Sequence, residues 1–276
     1  MTTLNITAAD VNKLRQQTGA GMMDCKKALT EANGDFEAAI DFLRKKGQKV
    51  AANRSDRDAK EGYVIGKTTA DGKLGAIVLL SCETDFVAKT DDFMNFANSI
   101  LDLTLAQKPA SVEDIKALTL NGLSVSDRLF DMIGKIGEKI EISRYEVIES
   151  PCVIVYNHPG NRLVSMVGFS SEAGAKVGKD VAMQIAAMAP IAVDKDDVDA
   201  TTLAREIEIG KDQARQEGKP EEMLEKIALG KIGKFYKEYT LLNQSFIKED
   251  SLTIRQLLEQ TEKGLTVTSF KRVKLG

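Results

Sequence analysis

The sequence contains no tryptophan, a single histidine and three widely separated cysteines. Aromatic residues make up only 5% of the chain, which argues against the stacking surfaces that bind single-stranded nucleic acid. With one imidazole, His158, no Cys/His metal cluster can form, and no two cysteines have the spacing of a zinc or redox motif. A serine or cysteine nucleophile would have only that imidazole as its base. These absences favour a binding protein over an enzyme, without a metal or a cofactor.

Long apolar runs are absent as well, since no stretch approaches the roughly 18 residues of a membrane-spanning helix. Residues 1–5 lack the basic region and the apolar core of a signal peptide. The odd number of distant cysteines indicates reduced thiols in a cytosol, not a disulfide framework. The net charge of −3 gives no global attraction to nucleic acid or to anionic membranes. We therefore expect a cytoplasmic protein that binds neither nucleic acid nor membranes directly.

The most distinctive stretch of the chain is residues 83–93. It follows an apolar run at 75–80 that predicts a buried strand, and it leads into a helix for which Thr90 can act as the cap. Asp85 and Phe86 therefore fall on the connection between strand and helix, residues 83–90, which we call the connector. A phenylalanine in this position is either a hydrophobic staple packed on the helix or an exposed wedge offered to another macromolecule. The residues alone leave both alternatives open.

The pattern of helix and strand signals predicts an α+β protein with a three-helix N-terminal bundle, a two-part core of antiparallel sheets and an inserted antiparallel helical hairpin. The predicted segments are an N-terminal module at 1–50, a linker at 51–61, core subdomain N at 62–148, core subdomain C at 149–190 and 240–276, and the hairpin at 191–239. Small helical bundles like the first segment are commonly binding modules.

Two capping signals mark helix ends. Thr7 and Asp10 resemble a capping box at the start of the first helix, and Gly137 is expected to end the helix before the strand at 139–148.

Several further local features follow from capping residues and periodicity. Gly47 is expected to end the third helix, a last helix is expected over 251–262, and a final strand at 265–273 could complete the second sheet. In the second helix, Met22 falls on the buried stripe, whereas Met23 lies nearly opposite and is expected to be exposed. An exposed methionine at a helix start is either incidental or an adaptable contact.

The predicted hairpin joins helices over 200–217 and 221–238. Its apolar seam is narrow, with four positions of each helix facing the other: Leu203, Ile207, Gly210 and Ala214 against Met223, Leu224, Ile227 and Ile232. A protruding hairpin of this kind either mediates subunit association or is only a surface excursion, and the pattern does not distinguish the two.

Two stretches closely resemble the signatures of bacterial elongation factor Ts. They are residues 18–29 (TGAGMMDCKKAL) and 84–89 (TDFVAK), and residues 136–140 (IGEKI) look like a third segment of the family. The stretches occur in the family's order and at its approximate separation. The resemblance covers nearly the whole chain, including the hairpin and the turn that contains His158.

The resemblance implies a guanine-nucleotide exchange factor that binds elongation factor Tu in its GDP-bound and nucleotide-free states. It implies an N-terminal module of the ubiquitin-associated type and a coiled-coil hairpin that forms a homodimer. The connector would enter the GTPase domain, disturb the magnesium and phosphate site, and promote GDP release during translation elongation. The residues implied to contact the partner are Thr84, Asp85, Phe86 and Val87 in the connector, Met22 and Met23 in the module, and Ile136, Gly137 and His158 in the core.

One departure from the family concerns the end of the sequence. Some members continue past the last strand with a helical extension that reaches the partner, whereas this sequence stops at Gly276, so that contact is expected to be missing. Two rival classes of function are a scaffold that binds a partner without changing nucleotide release, and an enzyme that uses His158.

Overall fold

The computed structural model describes residues 6–276, which form eleven α-helices and ten β-strands. Residues 1–5, which carry no signal-peptide pattern, lie outside the described range. The described chain divides into two compact units. The first comprises the residues up to Ile65 together with Ile77–Tyr145 and Lys274–Gly276, and the second comprises Gly66–Ala76 and Glu146–Val273.

The first unit begins with three helices, α1 (Ala8–Thr18), α2 (Met22–Glu31) and α3 (Phe36–Asn53). The Thr7 hydroxyl accepts a hydrogen bond from the Asp10 amide at 3.2 Å, and the Asp10 carboxylate accepts one from the Thr7 amide at 3.0 Å, which is a capping box. The three helices enclose a small apolar core of buried side chains: Val11, Leu14, Ala20, Cys25, Ala28, Leu29 and Ala39.

The expected end of the third helix at Gly47 is wrong, because α3 continues through Gly47 to Asn53. A Cβ atom at Gly47 would lie 2.0 Å from the Phe130 carbonyl oxygen of helix α7 (Val125–Ile136), and Gly134 of α7 lies opposite. The glycine therefore permits a close helix crossing and does not act as a terminator. The first three residues of the predicted linker belong to this helix, and the domain boundaries stay a prediction.

After α3 the chain forms the strands β1 (Glu61–Thr68) and β2 (Leu74–Cys82), which with β5 (Ile140–Glu149) make a three-stranded sheet in the order β1-β2-β5. The middle strand, β2, is buried along its whole length, as the apolar run predicts. Between β2 and β5 lie four helices and a two-stranded ribbon: α4 (Asp85–Ala88), α5 (Asp91–Gln107), α6 (Val112–Ala117), β3 (Thr119–Leu120), β4 (Leu123–Ser124) and α7.

The second unit contains a sheet in the order β10-β7-β6, built from β6 (Cys152–Asn157), β7 (Leu163–Phe169) and β10 (Val267–Lys274). Strands β6 and β7 are antiparallel, with Cys152 opposite Phe169. The expected last strand thus completes this sheet. Helix α8 (Gly178–Met188) packs on the sheet through buried residues that include Val181 and Ile185.

A helical hairpin follows α8, formed by α9 (Ala200–Gln216) and α10 (Glu221–Tyr239). The two helices approach closely where Gly210 faces Ala228, since a Cβ atom at Gly210 would lie 3.1 Å from the Ala228 Cβ. Leu224 is buried in the seam, but the expected seam position of Met223 is wrong, because this side chain is 46% exposed.

The last helix also begins later than expected. Residues 251–253 belong to β9 (Glu249–Thr253), which is antiparallel to β8 (Ser245–Phe246), and α11 covers only Ile254–Thr261. Thr253 and Gln256 form a capping box that fixes this start.

The α+β class expected from the sequence is confirmed by this mixture of helices and small sheets. Within residues 6–276, none of the helices combines the length and the apolar composition needed to cross a membrane.

The crossing of α3 and α7 makes Gly47 sensitive to substitution. Gly47→Ala is expected to lower the free energy of unfolding by about 1–3 kcal/mol, because the added methyl group collides with the Phe130 carbonyl and separates the helices. Gly230→Ala in α10 is the matched control, since a Cβ atom there meets nothing within 4 Å, and it is expected to stabilise by about 0.5–1 kcal/mol. Urea unfolding measures both. Equal effects of the two substitutions would contradict a close crossing.

Candidate partner-binding site

Phe86 lies on α4, a single helical turn between β2 and α5, and its side chain is 81% exposed. No other large apolar side chain in residues 6–276 is as exposed. A hydrophobic staple would bury the ring against α5. The staple alternative is therefore wrong, and Phe86 is an apolar ring presented to solvent.

The turn that carries Phe86 starts at Thr84, whose polar groups are all engaged. The Thr84 amide donates to Glu138 Oε2 at 3.0 Å, and its hydroxyl donates to Glu138 Oε1 at 2.7 Å. The same hydroxyl accepts a hydrogen bond from the Val87 amide at 3.4 Å, as an N-cap residue does. The Thr84 carbonyl accepts from the Cys82 thiol at 3.1 Å and from the Ala88 amide at 3.3 Å.

A reciprocal pair of carboxylates joins the end of β2 to the start of β5. Glu138 accepts a hydrogen bond from the Glu83 amide at 3.1 Å, and Glu83 accepts one from the Lys139 amide at 2.6 Å. Arg54, at the C-terminal end of α3, adds an ion pair to Glu83 at 2.8 Å. The Lys139 amide and the Arg54 guanidinium together hold the pKa of Glu83 below its ordinary value.

The other end of the turn is closed by Val87, Ala88 and Thr90. Ala88 is buried, and both the amide and the hydroxyl of Thr90 donate to the Val87 carbonyl, at 3.0 Å and 2.8 Å. Thr90 is the N-cap residue of α5, but its hydroxyl makes no capping bond to that helix. The expected side-chain cap is therefore wrong, because the hydroxyl is used to close the preceding turn.

Asp85 carries a carboxylate that is already paired. Lys89, one turn further on, donates to it at 2.6 Å, and both side chains are exposed. This hydrogen bond and the charge of Lys89 lower the pKa of Asp85, so that the carboxylate is ionised at neutral pH. In the free protein, the positive charge of the Lys89 ammonium group partly offsets the negative charge of Asp85.

Cys82 precedes the turn and acts as a neutral donor. Burial and the negative charge of Glu138 raise the pKa of this thiol to about 12. Since only a thiolate is a good nucleophile, the role open to Cys82 is the hydrogen bond that its thiol donates to the Thr84 carbonyl.

Ile136 and Gly137 directly precede Glu138, the residue that bonds Glu83 and Thr84. Gly137 ends α7 with a φ of +81°, a left-handed conformation that glycine adopts without strain, and the chain then turns so that Glu138 reaches Thr84. The structure therefore bonds Thr84 to Glu138, the residue after Gly137, although the two are 54 residues apart in the chain.

Met22 and Met23 open α2 in the same unit. Met23 is 75% exposed, as expected. The expectation that Met22 lies on the buried stripe is wrong, since it is 54% exposed. Met22 is the first residue of the helix, and the buried positions begin one turn later with Cys25. Two adjacent exposed methionines form a flexible apolar surface.

His158 belongs to the second unit and lies in the turn between β6 and β7. Its Nδ1 atom is 3.1 Å from the Tyr156 hydroxyl, and the two rings meet edge to face with centroids 5.9 Å apart. The imidazole is exposed, and its orientation is set by the tyrosine.

Among residues 6–276 there is no group of three or more His, Cys, Asp or Glu side chains placed to hold a metal ion.

Glu138 and Arg54, which bond the connector, are not among the site residues predicted from the sequence. Glu138 could have been found from the family resemblance, because it lies in the segment at 136–140, next to Ile136 and Gly137.

The family model described as Elongation factor TS matches residues 83–276, which begin with the connector. The chain belongs to the elongation factor Ts family. It is 55% identical over 275 residues to Elongation factor Ts of Cytophaga hutchinsonii, with 98% of this chain and 99% of the relative covered. The Elongation factor Ts proteins of Amoebophilus asiaticus and Flavobacterium psychrophilum are 53% and 49% identical, with the same coverage. Membership of this family gives the protein the role of a translation elongation factor.

The ionised Glu83 carboxylate is expected to contribute to stability. At pH 7, Glu83→Gln is expected to lower the free energy of unfolding by about 1.5–3 kcal/mol, since charged hydrogen bonds are lost. Because the pKa of Glu83 is lower in the folded state, this contribution is complete above the unfolded value of about 4.3 and is lost as the pH falls through the folded value. The difference between the two proteins therefore shrinks below about pH 4.3.

Urea unfolding at a series of pH values tests this expectation. Glu113→Gln is the control, since Glu113 is an exposed partner of Lys116 and its change is expected to stay within about 0.5 kcal/mol. A difference for Glu83→Gln that grows toward acid pH would contradict the assigned direction of the pKa.

Proposed function

We propose that this protein binds elongation factor Tu and accelerates release of its GDP, with Phe86 as the wedge that acts on the GTPase. The observation that carries the proposal is an 81% exposed phenylalanine on a turn whose start is held by hydrogen bonds. Exposed aromatic side chains on rigid supports are typical centres of protein interfaces.

Exchange needs no covalent chemistry. The factor must bind the GTPase more tightly when nucleotide is absent, and by linkage the nucleotide must then weaken binding of the factor by the same amount. Accelerating release a thousandfold requires the barrier to fall by roughly 4 kcal/mol. Burying one aromatic side chain supplies about 1.5–3 kcal/mol. Phe86 therefore needs additional contacts to account for an effect of that size.

Rigidity makes the wedge more effective. A flexible loop would lose conformational freedom on binding, at a cost of about 0.5–1.5 kcal/mol for each side chain that becomes ordered. The turn at Asp85–Ala88 is already fixed at its start by Glu138 and at its end by Thr90. More of the burial energy of Phe86 is then available to disturb the GTPase.

The other implied contacts supply affinity in this proposal. Met22 and Met23 offer an adaptable apolar surface on the N-terminal module, and Ile136 and Gly137 directly precede Glu138, which bonds Thr84. His158 presents an exposed imidazole on the second unit. Asp85 contributes an ionised carboxylate that can perturb the magnesium site of the partner, and its pairing with Lys89 reduces that effect until the pair separates.

Removing the wedge is the direct test. Phe86→Ala is expected to reduce the rate of GDP release from elongation factor Tu by roughly 10- to 150-fold, which corresponds to the lost burial energy. Stability is expected to change by less than about 0.5 kcal/mol, because the ring is exposed. Stopped-flow fluorescence of labelled GDP measures the rate, and thermal unfolding measures stability.

Val147→Ala is the control for that test, since it shortens an exposed apolar side chain elsewhere. It is expected to leave release unchanged. Wild-type release by a folded Phe86→Ala protein would contradict the wedge. Tight binding of elongation factor Tu by the unaltered chain without faster GDP release would indicate a scaffold.

We also propose that the α9–α10 hairpin forms a homodimer. The apolar side chains that it leaves exposed support this: Ile209, Met223, Leu229 and Tyr239. Leu229, on α10, is 55% exposed. Leu229→Glu is expected to shift a dimer toward monomer, whereas Lys226→Glu, on the same helix, changes a charge without removing apolar surface. Sedimentation equilibrium measures the mass, and a monomer at high concentration would overturn the dimer.

A further inference from the structure

The start of the connector is hydrogen-bonded to the side chain of Glu138, which lies outside the connector. Glu138 accepts three hydrogen bonds from the connector, from the amides of Glu83 and Thr84 at 3.1 Å and 3.0 Å and from the Thr84 hydroxyl at 2.7 Å. Hydrogen bonds to an ionised carboxylate are stronger than those between neutral groups. The start of the turn is therefore fixed by one residue of the α7–β5 connection.

The influence of Glu138 extends to Phe86 through the cap. A turn of four residues has too few internal hydrogen bonds to be stable alone, so that it depends on its cap and on its surroundings. Because the Thr84 hydroxyl gives its proton to Glu138, its lone pairs are free to accept from the Val87 amide. Phe86 lies between Thr84 and Val87, the two residues that this hydrogen bond joins, so that the bond restrains the backbone that carries its side chain.

We propose that Glu138 is a positioning residue for nucleotide exchange, which holds the turn at Asp85–Ala88 so that Phe86 enters the GTPase in the productive direction. The inference rests on the proposed function. It adds a residue that does not have to touch the partner and that acts through Thr84. A displacement of about 1 Å in a positioned group can reduce a rate about 100-fold, so small movements of the turn matter.

Glu138→Gln is the most direct test of the positioning role. It keeps the size of the side chain, but its amide nitrogen is a donor where Glu138 offers only acceptors. One of the three hydrogen bonds is thereby lost or reversed. Glu138→Gln is expected to lower the maximal rate of GDP release roughly 10- to 100-fold. The concentration of exchange factor that gives half the maximal rate is expected to change less than about threefold, because the remaining contacts set affinity.

Two further variants separate positioning from general stability. Glu141→Gln is the matched control, since Glu141 lies nearby on β5 and contacts the Lys139 ammonium, not the connector. Thr84→Val removes the hydroxyl that donates to Glu138, and it is expected to lower the maximal rate of GDP release as Glu138→Gln does. Thr84→Val and Glu138→Gln are expected to be non-additive when combined, because they interrupt the same connection.

A measurement on the free protein completes the experiment. Amide hydrogen exchange at Val87 and Ala88 is expected to be faster in Glu138→Gln than in the unaltered chain, while exchange in the buried strand β2 is unchanged. Each rate of GDP release is divided by the folded fraction from thermal unfolding. Slower maximal release per folded molecule, together with faster amide exchange in the turn, supports the positioning role.

One result would contradict the proposed function, and two others would contradict only the positioning role of Glu138. If the unaltered chain fails to accelerate GDP release, the proposed function is wrong and the positioning role falls with it. If the unaltered chain accelerates release and Glu138→Gln does so equally per folded molecule, only the positioning role is overturned. A lower rate that is explained entirely by a smaller folded fraction also overturns it, because Glu138 would then be structural.

Discussion

The exchange of hydrogen bonds between Glu83 and Glu138 joins two chain segments at the point where a strand ends and another begins. Each carboxylate accepts a backbone amide from the other's segment, with Glu83 bonded to Lys139 at 2.6 Å and Glu138 bonded to Glu83 at 3.1 Å. Strand ends normally leave backbone groups without partners, and here carboxylates satisfy them. Glu138 also accepts two hydrogen bonds from Thr84, which starts the turn that carries Phe86.

The same region shows how a small protein surface can be both exposed and rigid. Exposed apolar side chains on loops usually move, because a loop has few hydrogen bonds to restrain it. Here the turn that carries Phe86 has a cap at Thr84 and a closing residue at Thr90. Arg54 connects the arrangement to α3, so that the end of the N-terminal helices also contributes to it. Rigidity of this kind lowers the cost of forming an interface.

Much of the local structure was predictable because its causes are local. The capping box of Thr7 and Asp10, the glycine end of α7 at Gly137 and the buried strand before the connector depend on residues close together in the chain. The errors have tertiary causes. Gly47 continues its helix because α7 passes close to it, and Met22 is exposed because the helix core begins one turn later. Residues 251–253 belong to a strand because β8 pairs with Glu249 and Thr253 at the two ends of β9.

The residues at 83–93 determined by themselves that a phenylalanine and an aspartate would lie between a buried strand and a helix, since periodicity and capping are properties of short segments. Whether Phe86 packs on its own helix or faces solvent was decided only by the tertiary structure. Glu138, which bonds the start of the turn that carries Phe86, is 54 positions from Thr84 in the chain. A single sequence does not encode such a contact in any local pattern, because the hydrogen bonds form only when the folded strands bring the two segments together.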